Sequence, residues 1–452
     1  MTTVSCCHSM FGIRMHAFAR FALVVAALSS PACLRPALAH SMPTTLIHAG
    51  HVLEHPDRAP RRQATLVIRD GRIVEIRAGF IDASAFPEAQ VVDLRDCFVL
   101  PGLIDTHVHF NTSNSGQLAL LDRVTLNTAD YAYEAAWLAR KTLENGFTTV
   151  RVLGNPSGVT LALRDAIAAG KVPGPRILDG GRTIATTAGS GDPAVGLNED
   201  IAEHVNHENV CDGPEMCRRA VRQQVRRGVD WIKMKVTGGV NSRSSVGVGA
   251  QMFADEVRAI VETAHMYGKK VAVHAHGTDG INLALEYGAD SIEHATLLDD
   301  RSLELFARSG AYMVPTLSTI NAYLERRAKN PDQYTPAVRE KIEWRISVTG
   351  DALKRAYAKG VKIAFGTDAG VSEHGRNADE FALMVKFGMT PRDALKAATV
   401  NAADMLGLSK EIGTLEPGKR ADLIAVASDP LQDVGVLRNV SFVMKDGEIW
   451  KR

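Results

Sequence analysis

Between residues 101 and 408, short apolar stretches rich in β-branched residues alternate with helical ones, and this limits the chain more than any other feature. The strand-like stretches read "GLIDTH", "TTVRVL", "PRILDG", "DWIKMKV", "KVAVHA", "ADSIEH", "AYMVPT" and "VKIAFGTD". Between several of them lie amphipathic segments such as "FADEVRAIVETAHMYG", in which a glycine ends the helix and the next strand follows. Eight such units point to an α/β fold of the (β/α)8 TIM-barrel type. A doubly wound sheet would also alternate, but it predicts no count of eight.

The flanks read differently. From about residue 44 to 100 the chain is short-stranded and punctuated by turns, with Asp70-Gly71 between two alternating runs, a strong hairpin signal. The C-terminal stretches "GTLEPGKRADLIAVAS" and "NVSFVMKDGEIWKR" repeat the strand, Asp-Gly, strand pattern. Residues 40–100 and 409–452 are therefore expected to form one small β-sandwich domain from both chain ends, with the barrel at 101–408.

Residues 1–39 are set apart. Arg14 and Arg20, an apolar stretch near 21–28 and Ala37-Leu38-Ala39 follow the charged, apolar, small-x-small order of a secretory signal. The apolar stretch falls short of the roughly 20 residues that span a bilayer. Cleavage near Ala39 and a secreted or periplasmic protein without a membrane anchor are expected. Cleavage removes Cys6, Cys7 and Cys33 and leaves Cys97, Cys211 and Cys217, too few for a disulfide framework. Cys211 and Cys217, in "CDGPEMC", can form one local bridge or stay as two free thiols beside a helix start. Lys plus Arg number 52 against 51 Asp plus Glu, and no basic run is present to neutralise a phosphate backbone, so nucleic acid is excluded as an expected partner.

A barrel collects its chemistry at the C-terminal ends of its strands, and the candidate ligands obey that rule. The first strand ends in His107-Val108-His109, whose alternation aims both imidazoles one way. The fourth carries Lys233, the fifth ends in His274 and His276, the sixth in His294 and the eighth in Asp368. Scattered core histidines have no reason to follow this pattern. Imidazole and carboxylate suit Zn²⁺ and related ions. Lys233 is the odd member: between two metals its amine can react with CO2 to give a carbamate, an anionic two-oxygen bridge. Periodicity leaves two choices open, because Lys233 and Lys235 share a face, as do His274 and His276.

The stretches "PGLIDTHVHF", "WIKMKVTGGV", "VAVHAHG", "SIEHAT", "FGTDAG" and "NAADMLGL…GTLEPGKRADLIA" resemble the amidohydrolase superfamily over nearly the whole mature chain. Within it the resemblance is to the subgroup of Xaa-Pro dipeptidases, carboxypeptidase-type enzymes and ochratoxin-hydrolysing amidases. The resemblance implies two divalent metal ions, zinc by default: His107, His109 and Asp368 on one, His274 and His294 on the other, with Lys233 bridging as N6-carboxylysine. It also implies that Asp368 relays a proton from a metal-activated water to the leaving amine, while His276 faces the substrate and binds the oxyanion or a carboxylate. The expected reaction is release of a C-terminal amino acid from an N-acyl or peptidyl partner. Ochratoxin A, an aromatic acyl group linked to phenylalanine, has that type of bond. A homo-oligomer, up to an octamer, is also implied.

Two loops depart from the family pattern: Val152 stands in "VRVLG" where relatives often have an aspartate, and "TAGSGD" stands where relatives have "GGH". These changes bear on specificity. Val240 and Arg243, in the Gly/Ser-rich loop after the fourth strand, are candidate substrate-binding residues, and His374 is read as a cap of the next helix. A cyclic-amide hydrolase or deaminase on the same scaffold is the alternative, although a mononuclear deaminase would lack the bridging lysine and place a glutamate after strand five, which "HAHGTDG" does not have. A barrel without catalysis would show missing ligands, and all six candidates are here.

Overall fold

The computed structural model describes residues 44–452 apart from residues 112, 115, 156, 157 and 244–246. The expected signal segment and its cleavage site lie outside the described residues. Among the described residues no helix is long and apolar enough to cross a membrane.

Four strands open the chain: β1 (Thr45–Val52), β2 (Arg61–Arg69), β3 (Arg72–Ala78) and β4 (Gln90–Pro101). Three close it: β12 (Leu423–Val426), β13 (Phe442–Lys445) and β14 (Glu448–Lys451). Both Asp-Gly pairs make the expected two-residue hairpin turns. Asp70 and Gly71 have φ of 49° and 75°, Asp446 and Gly447 of 51° and 78°, the left-handed geometry that matches strand twist and that Asp and Gly tolerate best. The two ends do come together, as one seven-stranded sheet in the order β14-β13-β12-β4-β1-β2-β3. The reason is the length of β4: one part pairs in parallel with β1, and its last residues, Phe98 to Pro101, take β12 antiparallel. The two ends thus join edge to edge and share one apolar cluster that includes Ile47, Leu66, Val99, Leu423 and Phe442.

After Gly102 the middle of the chain supplies β5 (Leu103–Val108), β6 (Phe147–Val152), β7 (Arg176–Asp179), β8 (Trp231–Lys235), β9 (Lys270–Ala275), β10 (Ser291–His294) and β11 (Tyr312–Val314). These are the first seven expected strands, each parallel to its neighbour. Their side chains are almost all buried on both faces, as a sheet covered by helices requires. The helix expected in "FADEVRAIVETAHMYG" runs Ala254–Met266, followed by Gly268 at φ 65°.

The strands form two parallel sheets, β5-β6-β7 and β8-β9-β10-β11, and not the continuous closed ladder of a regular eight-stranded barrel. Isolated parallel bridges, Ile184 to Met234, Met313 to Ile363 and Val108 to Ala369, link their margins. The expected eighth strand, within 361–368, is not a regular strand. Two of its N–H groups are taken elsewhere: Phe365 N donates to Ala397 O at 3.0 Å, and Thr367 N donates to the side chain of Asp105 at 3.1 Å. That capture breaks the ladder where the site is assembled.

Candidate metal centre

The end of β5 is stitched to the irregular segment. Asp368 N donates to His107 O at 2.8 Å and His109 N to Ala369 O at 2.7 Å, which sets Asp368 beside both histidines. His109 Nε2 lies 2.9 Å from Asp368 Oδ1, and His107 Nε2 lies 3.5 Å from the same oxygen. The candidate ligand atoms of these three residues all fall within 4.8 Å of one another. The opposite ring nitrogens are occupied, His107 Nδ1 by Glu293 Oε2 at 2.8 Å and His109 Nδ1 by Gly154 O at 3.2 Å. An acceptor on Nδ1 fixes the proton there and leaves the Nε2 lone pair for an ion.

His274, His276 and His294 form a second such group. His294 Nε2 faces His274 Nδ1 at 2.9 Å, while its Nδ1 is held by Thr316 Oγ1 at 2.6 Å. His276 is held through Nδ1 by Thr296 Oγ1 at 2.8 Å, and its ring stacks on His294 with centroids 4.6 Å apart. The two groups adjoin, with the His107 and His294 rings 5.3 Å apart. Asp368 (φ 57°), His294 (φ 72°) and Ala295 (φ 45°) all adopt the left-handed region, a strain of about 1–3 kcal/mol each that surrounding contacts must hold.

Lys233 is 1% exposed and its Nζ has no hydrogen-bond partner. Burial, against the pull of Glu293 and helped by the positive charges of Lys235 and Arg151, lowers its pKa to about 7. Burial likewise holds His107 down at about 4 and pushes His274, His276 and His294 well below the usual histidine value. Asp368 goes the other way: burial would raise it, but His107 and His109 hold its carboxyl at about 2. At neutral pH His107, His274, His276 and His294 are thus neutral, Asp368 is a carboxylate and the Lys233 amine has no partner. That donor set suits divalent ions of the zinc type, and the orphaned amine marks a place where a further group belongs.

Both groups line one cavity of about 380 Å³, together with Lys233, Val240 and Arg243. Val240 packs with Tyr323, Tyr334, Val338 and Ile342, and Arg243 donates to Gly196 O at 3.1 Å. His374 does not serve as a helix cap. It is buried, with Nε2 2.9 Å from His109 O and Nδ1 3.0 Å from Thr142 Oγ1, so it braces the backbone beneath a candidate ligand. Cys211 and Cys217 are disulfide-bonded, with Cα atoms 5.0 Å apart.

Several residues that hold this centre escaped the sequence reading. Glu293 binds His107 with one oxygen and Arg151 Nη2, at 2.8 Å, with the other. Arg151 also donates to Thr106 O and Ser291 Oγ and lies over the Trp231 ring. Asp105 accepts from His107 N, Thr367 N, Thr367 Oγ1 and Asn377 Nδ2. The available signal was a charged residue inside an apolar strand, since buried charges require partners.

Comparison with known proteins gives the family. The family model for the amidohydrolase family matches residues 98–450. An ochratoxinase from Aspergillus niger is 32% identical over 424 residues, covering 90% of this chain and 86% of its own length. The crystal structure of a Xaa-Pro dipeptidase with methionine bound in its active site superposes with a TM-score of 0.86 at 41% identity, covering 90% of this chain and all 100% of the other. That of A. niger ochratoxinase superposes with a TM-score of 0.79 at 31% identity, covering 90% and 96%. With most of its length matched, the chain belongs to the amidohydrolase family and is an amide-bond hydrolase.

Proposed function

We propose that the chain is a binuclear metal-dependent hydrolase that releases a C-terminal amino acid from an N-acyl or peptidyl partner, with ochratoxin A among its substrates. In this reading 101–408 form a (β/α)8 barrel in which residues 361–368 occupy the place of the eighth strand. His107, His109 and Asp368 would hold one ion and His274 and His294 the other, with Lys233, as a carbamate, supplying oxygen donors to both; zinc is the default metal. The bound ions supply Lewis-acid activation of water and of the scissile carbonyl. Asp368, ionised at its pKa of about 2, takes the proton of the attacking water as the new C–O bond forms. It returns that proton to the nitrogen as the C–N bond breaks. His276, whose Nδ1 lies 2.8 Å from Thr296 Oγ1, serves in the tautomer protonated at Nε2, with Nδ1 accepting from the hydroxyl, and that Nε2–H makes a hydrogen bond to the oxyanion. The names of the relatives, an ochratoxinase and a Xaa-Pro dipeptidase, support this class of substrate.

The observation that carries the reading is the buried, unpartnered amine of Lys233 among two groups of metal-type ligands. The test is metal content per chain on purified mature protein, with hydrolysis of ochratoxin A, N-acyl-phenylalanines and Xaa-Pro dipeptides followed in parallel. Two ions per chain, lost together with activity in Lys233→Ala, is the expected result. A metal-free protein inert on the whole panel would overturn it.

A further inference from the structure

Lys235 is the second lysine on the inward face of β8. Successive inward residues on a strand stand about 6.6 Å apart, so Lys235 is rooted one such step from Lys233. It lines the same cavity and is partly buried. Its backbone is held in the sheet, Lys235 N donating to Ile184 O at 2.9 Å, but among the described residues its side-chain amine makes no hydrogen bond and no ion pair. The other arginines at the cavity are engaged or exposed: Arg345 donates to Thr349 Oγ1 and Thr316 O, Arg326 to Tyr334 Oη and Arg243 to Gly196 O, while Arg123 is exposed at the rim. Asp192, the cavity carboxylate besides Asp368, is tied to the backbone N–H groups of Ala188 and Ala194.

A second polar atom shares this condition. Ser190, in the "TAGSGD" loop, lines the cavity with its Oγ buried and without a partner. Its place is fixed by two glycines. A Cβ built on Gly239 would stand 2.8 Å from Ser190 Oγ and 3.3 Å from His274 Nε2, and one built on Gly191 would stand 3.6 Å from Lys235 Cδ. The Ser190-Gly191 pair therefore runs from His274 to Lys235. A buried hydroxyl and a partly buried ammonium that both lack acceptors cost free energy, and a single carboxylate relieves both.

We propose that Lys235 and Ser190 are the anchor for the free carboxylate of the departing amino acid. This rests on the amide-hydrolase reading and deepens it. In an amino-acid amide the carboxylate carbon lies roughly 4 Å from the scissile carbon across the N–Cα–C linkage, and a charge-assisted hydrogen bond adds about 2.8 Å. That reach matches one inward step along β8. The anchor makes the enzyme exo-acting: a substrate whose C-terminus is amidated leaves Lys235 and Ser190 unpaired and is rejected.

The test compares wild type, Lys235→Met, Lys235→Arg and Ser190→Ala, each checked for folding by circular dichroism and for metal content. Hydrolysis is measured on an N-acyl-phenylalanine and on its C-terminal amide, and binding of N-acetyl-phenylalanine by calorimetry. K235M is expected to keep its metals, lower the acid-to-amide ratio of kcat/KM at least 10-fold mainly through KM, and weaken binding at least 10-fold. K235R is expected to retain part of the preference, and S190A to lose a smaller part. An unchanged ratio in folded, metal-loaded K235M and S190A would overturn the anchor and leave the amidase reading in place. A wild type that hydrolyses neither compound yet binds N-acetyl-phenylalanine through Lys235 would overturn the amidase reading and leave the anchor. Neither hydrolysis nor binding would overturn both.

Discussion

Glu293 Oε2 lies 2.8 Å from His107 Nδ1, and both residues are almost wholly buried. Burial would raise the Glu293 carboxyl, but Arg151 and His107 hold it at about 2, so it stands there as an anion. The pair couples two strands: β10 supplies the carboxylate that orients the first histidine of β5. Replacing Glu293 by Gln keeps the shape but removes the charge, leaving Arg151 buried without its counter-ion. Loss of the orienting partner should weaken metal binding about 10–100-fold, and loss of the charge should cost about 3–5 kcal/mol of stability. Metal retained during titration with a chelator reads the first effect and urea unfolding of the apo protein the second. Wild-type retention in a folded E293Q would exclude the orienting role.

Lys233→Ala removes the amine and leaves space lined by histidines. If the native bridge is a carbamate, a small carboxylate has the same two oxygens and can enter that space. Millimolar propionate should therefore restore part of the metal content and activity of K233A, whereas propylamine should not. Equal effects from both, or from neither, would argue against a two-oxygen bridge.

The candidate ligands were legible because each lies at a strand end, where alternation fixes direction. His107, His109, His274, His294 and Asp368 come together as that logic requires. What holds them was not legible in the same way. Glu293 sits in "SIEHAT" next to a recognised histidine, but its partners His107 and Arg151 are 186 and 142 residues away, and periodicity carries no such distance. The eighth strand failed for a related reason: Asp105, inside β5, takes the backbone N–H of Thr367 with its side chain. Patterning identified the terminal strands but not that the two groups join through β4 into one sheet.

Asp179 offers a test of pH dependence. One oxygen accepts from Gly181 N at 2.6 Å and the other has no partner, and burial raises the carboxyl to about 6. The folded pKa is thus above the unfolded one of 3.8. Between the two the folded state binds more protons, so this group's contribution to stability falls as pH rises. Asp179→Asn cannot ionise and should gain on wild type by up to about 3 kcal/mol between pH 4 and 7. Urea midpoints across that range read the difference. A constant gap between the two proteins would rule out the raised pKa.

The Cys211–Cys217 disulfide closes a loop of sequence separation 6, and both sulfur-bearing side chains are fully buried. Cys211 N donates to Ala185 O, so the bridge lies beside the start of the loop that carries Ser190. A loop this short gives about 2 kcal/mol by chain entropy. The Cys211→Ala, Cys217→Ala double variant should unfold at correspondingly lower urea, while mild reductant on the native wild type should leave the disulfide intact until unfolding begins. Under native conditions, rapid labelling of Cys211 and Cys217 by reductant and alkylating agent, followed separately from the free Cys97, would contradict that burial.

Gly366 shows how little room separates the irregular segment from the centre. A Cβ there would run into Val314 Cγ1 and would stand 3.0 Å from His107 Cβ and 3.2 Å from His107 N. The methyl of Val314 can move, but the backbone of β5 is fixed by Thr106 N donating to Phe365 O at 2.9 Å and Asp368 N donating to His107 O at 2.8 Å. Gly366→Ala should therefore cost about 1–3 kcal/mol by overpacking and push His107 away from Asp368, lowering metal affinity as well. Adding Val314→Ala relieves one collision and leaves the other. The double variant should regain stability but not metal affinity, and if both return together, the crowding at His107 has no part in holding the site.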